Sequence, residues 1–266
     1  MGILNCTPDS FFEGSRKQTV YEIAQRADEI ISEGGRIIDV GAFSTRPGAQ
    51  VVSLEEEMQR MRMALNVIRP HHPDAVLSID TYRPEVARMA VEEFGANIIN
   101  DVSEGGITGV VDQPLDEYAT ADNVPLIFRE VARLKVPYIL MSVQPDIDTM
   151  LHNFRKEVAQ LHSLGVDDII LDPGFGFGKE ILRGNFGLLA EMPRVKEAFP
   201  ELPLLVGVSR KRMVWQLLGG TAQDTSALHG TMLVNMLALE RGADILRVHD
   251  VKAAADTIKV FMEINS

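Results

Sequence analysis

Polar side chains recur at the ends of short apolar runs in this chain. Asn5 follows Gly2 to Leu4, Asp80 follows Val76 to Ile79, and Asn100-Asp101 follow Ile98-Ile99. Asp172 ends the run that begins at Asp168, Ser209, Arg210 and Lys211 follow Leu204 to Val208, and Arg247, His249 and Asp250 cluster at the last run. Asp39 lies within Ile37-Ile38-Asp39-Val40. A polar group set against a buried strand is costly unless it finds a partner. One such residue reads as a cap or a turn, whereas a whole set reads as a site.

The set divides by chemistry. Asp80, Asn100 and Asp172 can accept paired N–H donors, which suits a flat, nitrogen-rich heterocycle. The alternatives are that Asp80 caps the following helix and Asp172 anchors its own turn. Arg46, Ser209, Arg210, Arg247 and His249 are donors suited to an anion, and the arginine fork matches phosphate oxygens. Each basic residue alone reads more readily as a salt-bridge partner; together they point to a phosphate or diphosphate. No Cys/His cluster has metal-ligand spacing. A Mg²⁺ held mainly by diphosphate oxygens needs few protein ligands, and Asn5 is the candidate.

Asp172-Pro-Gly-Phe-Gly-Phe-Gly-Lys179 adds glycines that let backbone approach a ligand and rings that wall a pocket.

These groups need a frame that brings strand ends together. Apolar runs alternate with amphipathic stretches along all 266 residues. Thr19 with Glu22, and Ser53 with Glu56, form capping boxes that place two helix starts. Pro84 suits a first helical turn. Leu126 to Leu134, Ala227 to Arg241 and Val251 to Ile264 read as later helices, and Ser103 to Val124 as a long irregular segment. Eight strands alternating with helices predict a single (β/α)8 TIM barrel over 1–266, with a doubly wound open sheet as the structural alternative.

Composition narrows the partners. A net charge of −12 argues against nucleic acid and anionic membrane. The single cysteine, Cys6, rules out an intrachain disulfide and suits a reducing cytoplasm. No apolar run is long enough to span a bilayer. Met1 to Asn5 enters a strand at once without a signal-peptide pattern, and a longer natural N-terminus is compatible with that start.

The same stretches resemble dihydropteroate synthase. Gly2-Ile-Leu-Asn-Cys-Thr-Pro-Asp-Ser-Phe11 is similar to that family's opening motif and Asp39-Val-Gly-Ala-Phe-Ser-Thr-Arg-Pro-Gly48 to its second. Ser78 to Thr81, Ile99 to Asp101, Asp172 to Lys179, Gly207 to Lys211 and Arg247 to Asp250 match later ones in order. The resemblance implies condensation of 6-hydroxymethyl-7,8-dihydropterin diphosphate with p-aminobenzoate, with Mg²⁺ as cofactor and a homodimer as the assembly. It implies that Asp80, Asn100, Asp172 and Lys211 hold the pterin, and that Arg247, His249 and Asn5 hold diphosphate with the metal. Loops carrying Asp9, Phe11, Thr45, Arg46 and Pro47 would close over the site, Asp9 and Arg46 joining Asp80 and Lys211 as catalytic residues. Phe177 and Ser209 would lie near p-aminobenzoate, and Lys179 would support its loop.

Departures from the pattern are Ser142 where the family commonly has histidine, Arg212 after Ser-Arg-Lys, and a segment from Glu104 to Asn123 that is longer than usual. A folate-binding methyltransferase domain and a catalytically silent pterin-binding relative are the competing readings.

Overall fold

A computed structural model describes residues 1–6, 16–43, 52–106 and 124–266. Strands β1 (Gly2–Asn5), β2 (Ile37–Gly41), β3 (Val76–Asp80), β4 (Ile98–Asp101), β5 (Tyr138–Met141) and β6 (Ile169–Asp172) form one parallel sheet in sequence order. The short strands β7 (Leu205–Val206) and β8 (Ile245–Leu246) pair with each other. Parallel bridges between Leu171 and Leu204 and between Gly2 and Val248 close the two seams, so the sheet is a complete barrel. The open-sheet alternative is excluded by that closure.

Helices α1 (Arg16–Ser32), α2 (Leu54–His71), α3 (Pro84–Phe94), α4 (Leu126–Leu134) and α5 (Ile147–Ser163) connect the first strands. After β6 come α6 (Arg183–Glu191) and α7 (Pro193–Ala198), then α8 (Arg212–Leu217), α9 (Thr225–Glu240) and α10 (Val251–Ile264). The expected cap at Ser53 is present, its hydroxyl accepting the Glu56 N–H at 3.2 Å. The expected cap at Thr19 is not, because α1 begins at Arg16 and Thr19 lies inside it. Pro84 occupies the first turn of α3, and Gly95 ends that helix in the left-handed conformation.

Side-chain alternation along the strands sorts the barrel into layers. Ile38, Val40, Leu77, Ile79, Ile99, Leu140 and Leu171 point outward and join the main core beneath the helices. Each contributes on the order of 2 kcal/mol by burial. The opposite phase points into the lumen. Its floor is an apolar cluster of Ile98, Ile139, Ile170 and Leu205, packed with Met1, Ile37 and Ile245. Two residues further along those strands stand Asp39, Asn100, Asp172 and Arg247. The period of two that buries the floor therefore aims this polar layer into the same space, towards the strands' carboxyl ends.

Candidate active site

Asp39, wholly buried, is the hub of the polar layer. Its carboxylate accepts from Ser78 Oγ at 2.6 Å, from Asn100 Nδ2 at 3.2 and 3.3 Å, and from Arg247 Nε at 2.6 Å. Arg247 also donates through Nη2 to Asp80 Oδ2 at 2.6 Å, so one guanidinium bridges two carboxylates. Burial works to lower the Arg247 pKa, but Asp39 and Asp80 prevail and raise it. Burial pushes the Asp80 carboxyl up to about 7, opposed by Arg247 and reinforced by Asp39.

Asp80 and Asn100 are register partners on adjacent strands. Asp80 Oδ1 and Asn100 Oδ1 are both buried and have no hydrogen-bond partner among the described residues. An orphaned buried acceptor costs about 1–3 kcal/mol. A neighbouring pair of such acceptors matches a ligand edge that carries N–H donors.

Asp172 ends β6 and accepts the Gly174 N–H at 2.8 Å. Burial raises its carboxyl, and the Lys211 ammonium is the main opposing influence. Lys211 donates to the Phe175 carbonyl and lies 4.7 Å from the Phe177 ring centroid, over its face. Burial lowers its pKa to about 8. Phe177 borders a small apolar cluster of Val102, Met141 and Val143, together with Phe43. Gly174 has φ +68, and a Cβ there would meet the Ser142 carbonyl oxygen at 1.8 Å, so only glycine fits. Lys179 is buried and donates to the carbonyls of Gly174 (3.0 Å), Phe177 (3.1 Å) and Ser142 (3.5 Å). It therefore braces the loop, as expected.

Around the remaining rim, Ser209 Oγ accepts the His249 N–H at 3.0 Å and lies 3.2 Å from His249 Nδ1. Asn5 stands exposed at the end of β1, opposite Gly41. A Cβ on Gly41 would come within 3.2 Å of Asn5 Oδ1 and 3.6 Å of Asp80 Oδ2, so glycine keeps open the space between these oxygens.

Two strand-end residues are turned away from the site. Arg210 pairs with both Asp250 oxygens at 2.7 and 3.0 Å and donates to the Ala222 carbonyl, so it is not one of the anion donors expected. Asp101 accepts from Tyr138 Oη and from the Ser103 and Gly105 N–H groups, and it organises the turn after β4. Both lie one residue out of phase with the lumen.

Asp9, Phe11, Thr45, Arg46 and Pro47 lie outside the described residues, as does 107–123. The flanks of 44–51 are described. Arg60 donates to the Ala42 carbonyl at 3.3 Å, and Arg83 to the Val52 carbonyl at 2.7 Å and to Glu57 at 2.7 Å. The central position of Asp39 is the feature the sequence reading left without a role, although its spacing from Ile37 carried the signal.

Residues 1–249 match the family model described as pterin binding enzyme. A dihydropteroate synthase of Streptococcus pyogenes serotype M3 is 38% identical over 264 residues, covering 99% of this chain and 94% of the relative. The Xanthomonas albilineans dihydropteroate synthase with 4-aminobenzoic acid is 35% identical, with a TM-score of 0.82 over 100% of this chain and 92% of that one. The same bacterium's enzyme in complex with 7,8-dihydropteroate gives a TM-score of 0.79 at 33% identity, over 100% of this chain and 93% of that one.

Proposed function

The chain belongs to the dihydropteroate synthases of the pterin-binding enzyme family, and from that membership we propose how its own residues divide the work. The reaction is a transferase step that joins 6-hydroxymethyl-7,8-dihydropterin diphosphate to p-aminobenzoate, giving 7,8-dihydropteroate and diphosphate.

The pair of unpartnered acceptors on Asp80 and Asn100 carries the assignment of the pterin site. They accept the heterocycle's amino and ring N–H groups, while Asp172 receives a further N–H on the opposite wall. Lys211, perched on the Phe175 carbonyl and the Phe177 ring, lies against the pterin and supplies a donor. Phe177 walls the aminobenzoate side, and Ser209 and His249 face the anion with Arg247. That the X. albilineans structures hold 4-aminobenzoic acid and 7,8-dihydropteroate supports both ends of this pocket.

Chemically, the bond from the pterin methylene to the diphosphate oxygen breaks, and the oxygen leaves with the electron pair. The methylene cation is spread over the conjugated ring, and the buried carboxylates of Asp80 and Asp39 favour its charge. The aniline nitrogen then attacks, the new C–N bond forms, and the nitrogen's proton passes to the released diphosphate or to solvent. So reactive an electrophile needs no strong base beside the amine. Water must be kept out while the cation exists, and that work is assigned, on resemblance, to the segments carrying Asp9, Phe11, Thr45, Arg46 and Pro47.

Asn5 and the space beside Gly41 fit a Mg²⁺ ligated mostly by diphosphate oxygens. Among the described residues no group of three or more His, Cys, Asp or Glu could hold a metal unaided. When bound, that ion neutralises the leaving anion. The protein is further proposed to act as a homodimer in the cytoplasm. Among the described residues no helix is long and apolar enough to cross a membrane.

The test is product formation from pterin diphosphate, p-aminobenzoate and Mg²⁺ by the purified protein. Dihydropteroate and diphosphate in equal amounts are expected. Tight pterin diphosphate binding without product would instead mark a catalytically silent relative.

A further inference from the structure

The turn 142–144 after β5 is held between two buried, oppositely charged side chains. On one side stands Glu104, fully buried, whose Oε2 accepts the Val143 N–H at 3.2 Å and the Gln144 Nε2 at 2.9 Å. Its Oε1 accepts from Asn153 on α5 at 3.4 Å. On the other side stands Lys179, whose ammonium takes the Ser142 carbonyl together with those of Gly174 and Phe177. The carboxylate thus reads the N–H groups of the turn and the ammonium reads a carbonyl. Asp172 and Glu104 are the carboxylates that favour the charged form of Lys179.

The backbone marks Glu104 as more than filler. It has φ +55, a conformation that non-glycine residues rarely adopt, and it is followed by Gly105 and Gly106 with φ +74 and +82. Glycine would fit position 104 with less strain, so a glutamate kept there points to a use for its side chain. The far side of the turn is equally constrained. Cβ atoms on Gly174 or Gly178 would strike the Ser142 and Val143 carbonyl oxygens at 1.8 and 1.9 Å. A shift of the turn is therefore passed directly to the glycine loop that carries Phe177. Ser142 takes no outward part: it is fully buried, and its hydroxyl accepts the Gln144 N–H at 3.2 Å within the turn.

We propose that Glu104 and Lys179 are positioning residues, a buried clamp across turn 142–144 that sets Phe177 against p-aminobenzoate. The inference rests on the reading of Phe177 as the wall of the aminobenzoate site.

Steady-state kinetics and pterin binding of Glu104→Ala, Glu104→Gln, Lys179→Met, Phe177→Ala and the double variant Glu104→Leu/Lys179→Met test it. The clamp predicts a rise of about tenfold in KM for p-aminobenzoate in Glu104→Ala and Lys179→Met, with Glu104→Gln intermediate because it keeps one acceptor. Binding of 6-hydroxymethylpterin should change less than about twofold. The double variant removes both charges at once, so neither is left buried without the other, and a thermal melt checks that it folds. It should retain the raised KM, whereas a merely structural pair predicts wild-type KM. A normal KM in the folded double variant, or an equal loss of pterin and aminobenzoate binding, overturns the clamp. If Phe177→Ala itself leaves KM unchanged, the fault lies in the reading of Phe177 instead.

Discussion

At the scale of single residues, Asp80 and Lys211 set the expected pH dependence. Burial raises the Asp80 carboxyl to about 7, and its ionised form is the one that accepts both from Arg247 and from a ligand N–H. Burial lowers Lys211 to about 8, and its charged form is the one that offsets Asp172 and lies over the Phe177 ring. kcat/KM for the pterin diphosphate, which reports groups of the free enzyme, should therefore be bell-shaped, rising through about 7 and falling above about 8. Asp80→Asn should cost about 100-fold or more in kcat/KM and remove the acid limb from what remains, because the amide does not titrate. An acid limb that persists unchanged in Asp80→Asn would assign it to another group. The stability sign is opposite to that of an ordinary salt-bridged carboxylate. The folded state holds the Asp80 proton up to about 7 while the unfolded chain releases it near 4, so this group's contribution falls as pH rises between those values. Lys211→Ala should reduce turnover by about 100-fold, since it removes the donor to the Phe175 carbonyl, the cation over the Phe177 face and the charge that offsets buried Asp172; circular dichroism checks that the fold is intact.

At the scale of elements, α5 carries a buried carboxyl, Glu157, whose Oε2 has no partner among the described residues. Burial followed by repulsion from Glu104 and Asp101 raises its pKa to about 8. Between about 4.5 and 8 the unfolded chain gives up this proton and the folded one keeps it, so stability declines across that window. Glu157→Gln removes the titration and should stabilise the protein by on the order of 3 kcal/mol at pH 8, with little gain at pH 4.5. Thermal melts at both pH values check this, and an equal gain at both would mean the effect is not ionisation. The elements themselves were largely legible. α4 and α10 match their sequence boundaries, because amphipathic periods ending at clear breaks leave little choice. Thr19 misled because a capping box can occur by chance within a helix that starts earlier. β7 and β8 are shorter than their apolar runs, since barrel closure there uses isolated bridges from Val248 and Leu204. The 183–198 helices went unread. In the site, the residue types declared the chemistry, but only side-chain phase separates Asp39 and Arg247, which face the lumen, from Asp101 and Arg210, which do not. Glu104 was invisible to sequence reasoning because nothing local says that a glutamate after β4 will meet a turn after β5.

At the scale of the molecule, the barrel buries its apolar interior but leaves apolar surface on the helices that precede and follow β8. α8 crosses α9 closely at Gly230, where a Cβ would lie 2.6 Å from Val214 and 2.7 Å from Leu218. Beside that crossing Leu217 is 58% exposed, and further along α9 Leu233 is 69% and Leu237 37% exposed. On α10, which packs on α9, Val260, Met262 and Ile264 are also exposed. Scattered exposed leucines are ordinary, but these lie on helices that pack on one another. A stable dimer buries about 800 Å² per partner. We propose that the homodimer is centred on α8 and α9 and extends to α10, on the outside of the barrel. Light scattering behind size exclusion should give twice the 29.4 kDa chain mass. Leu233→Glu combined with Leu237→Glu places two charges in that interface and should give monomer at micromolar concentration. Because both side chains already face solvent in the single chain, the variant should keep its fold and its binding of 6-hydroxymethylpterin. A wild-type protein that runs at the single-chain mass, or a double variant that still dimerises, would remove this face as the site of assembly.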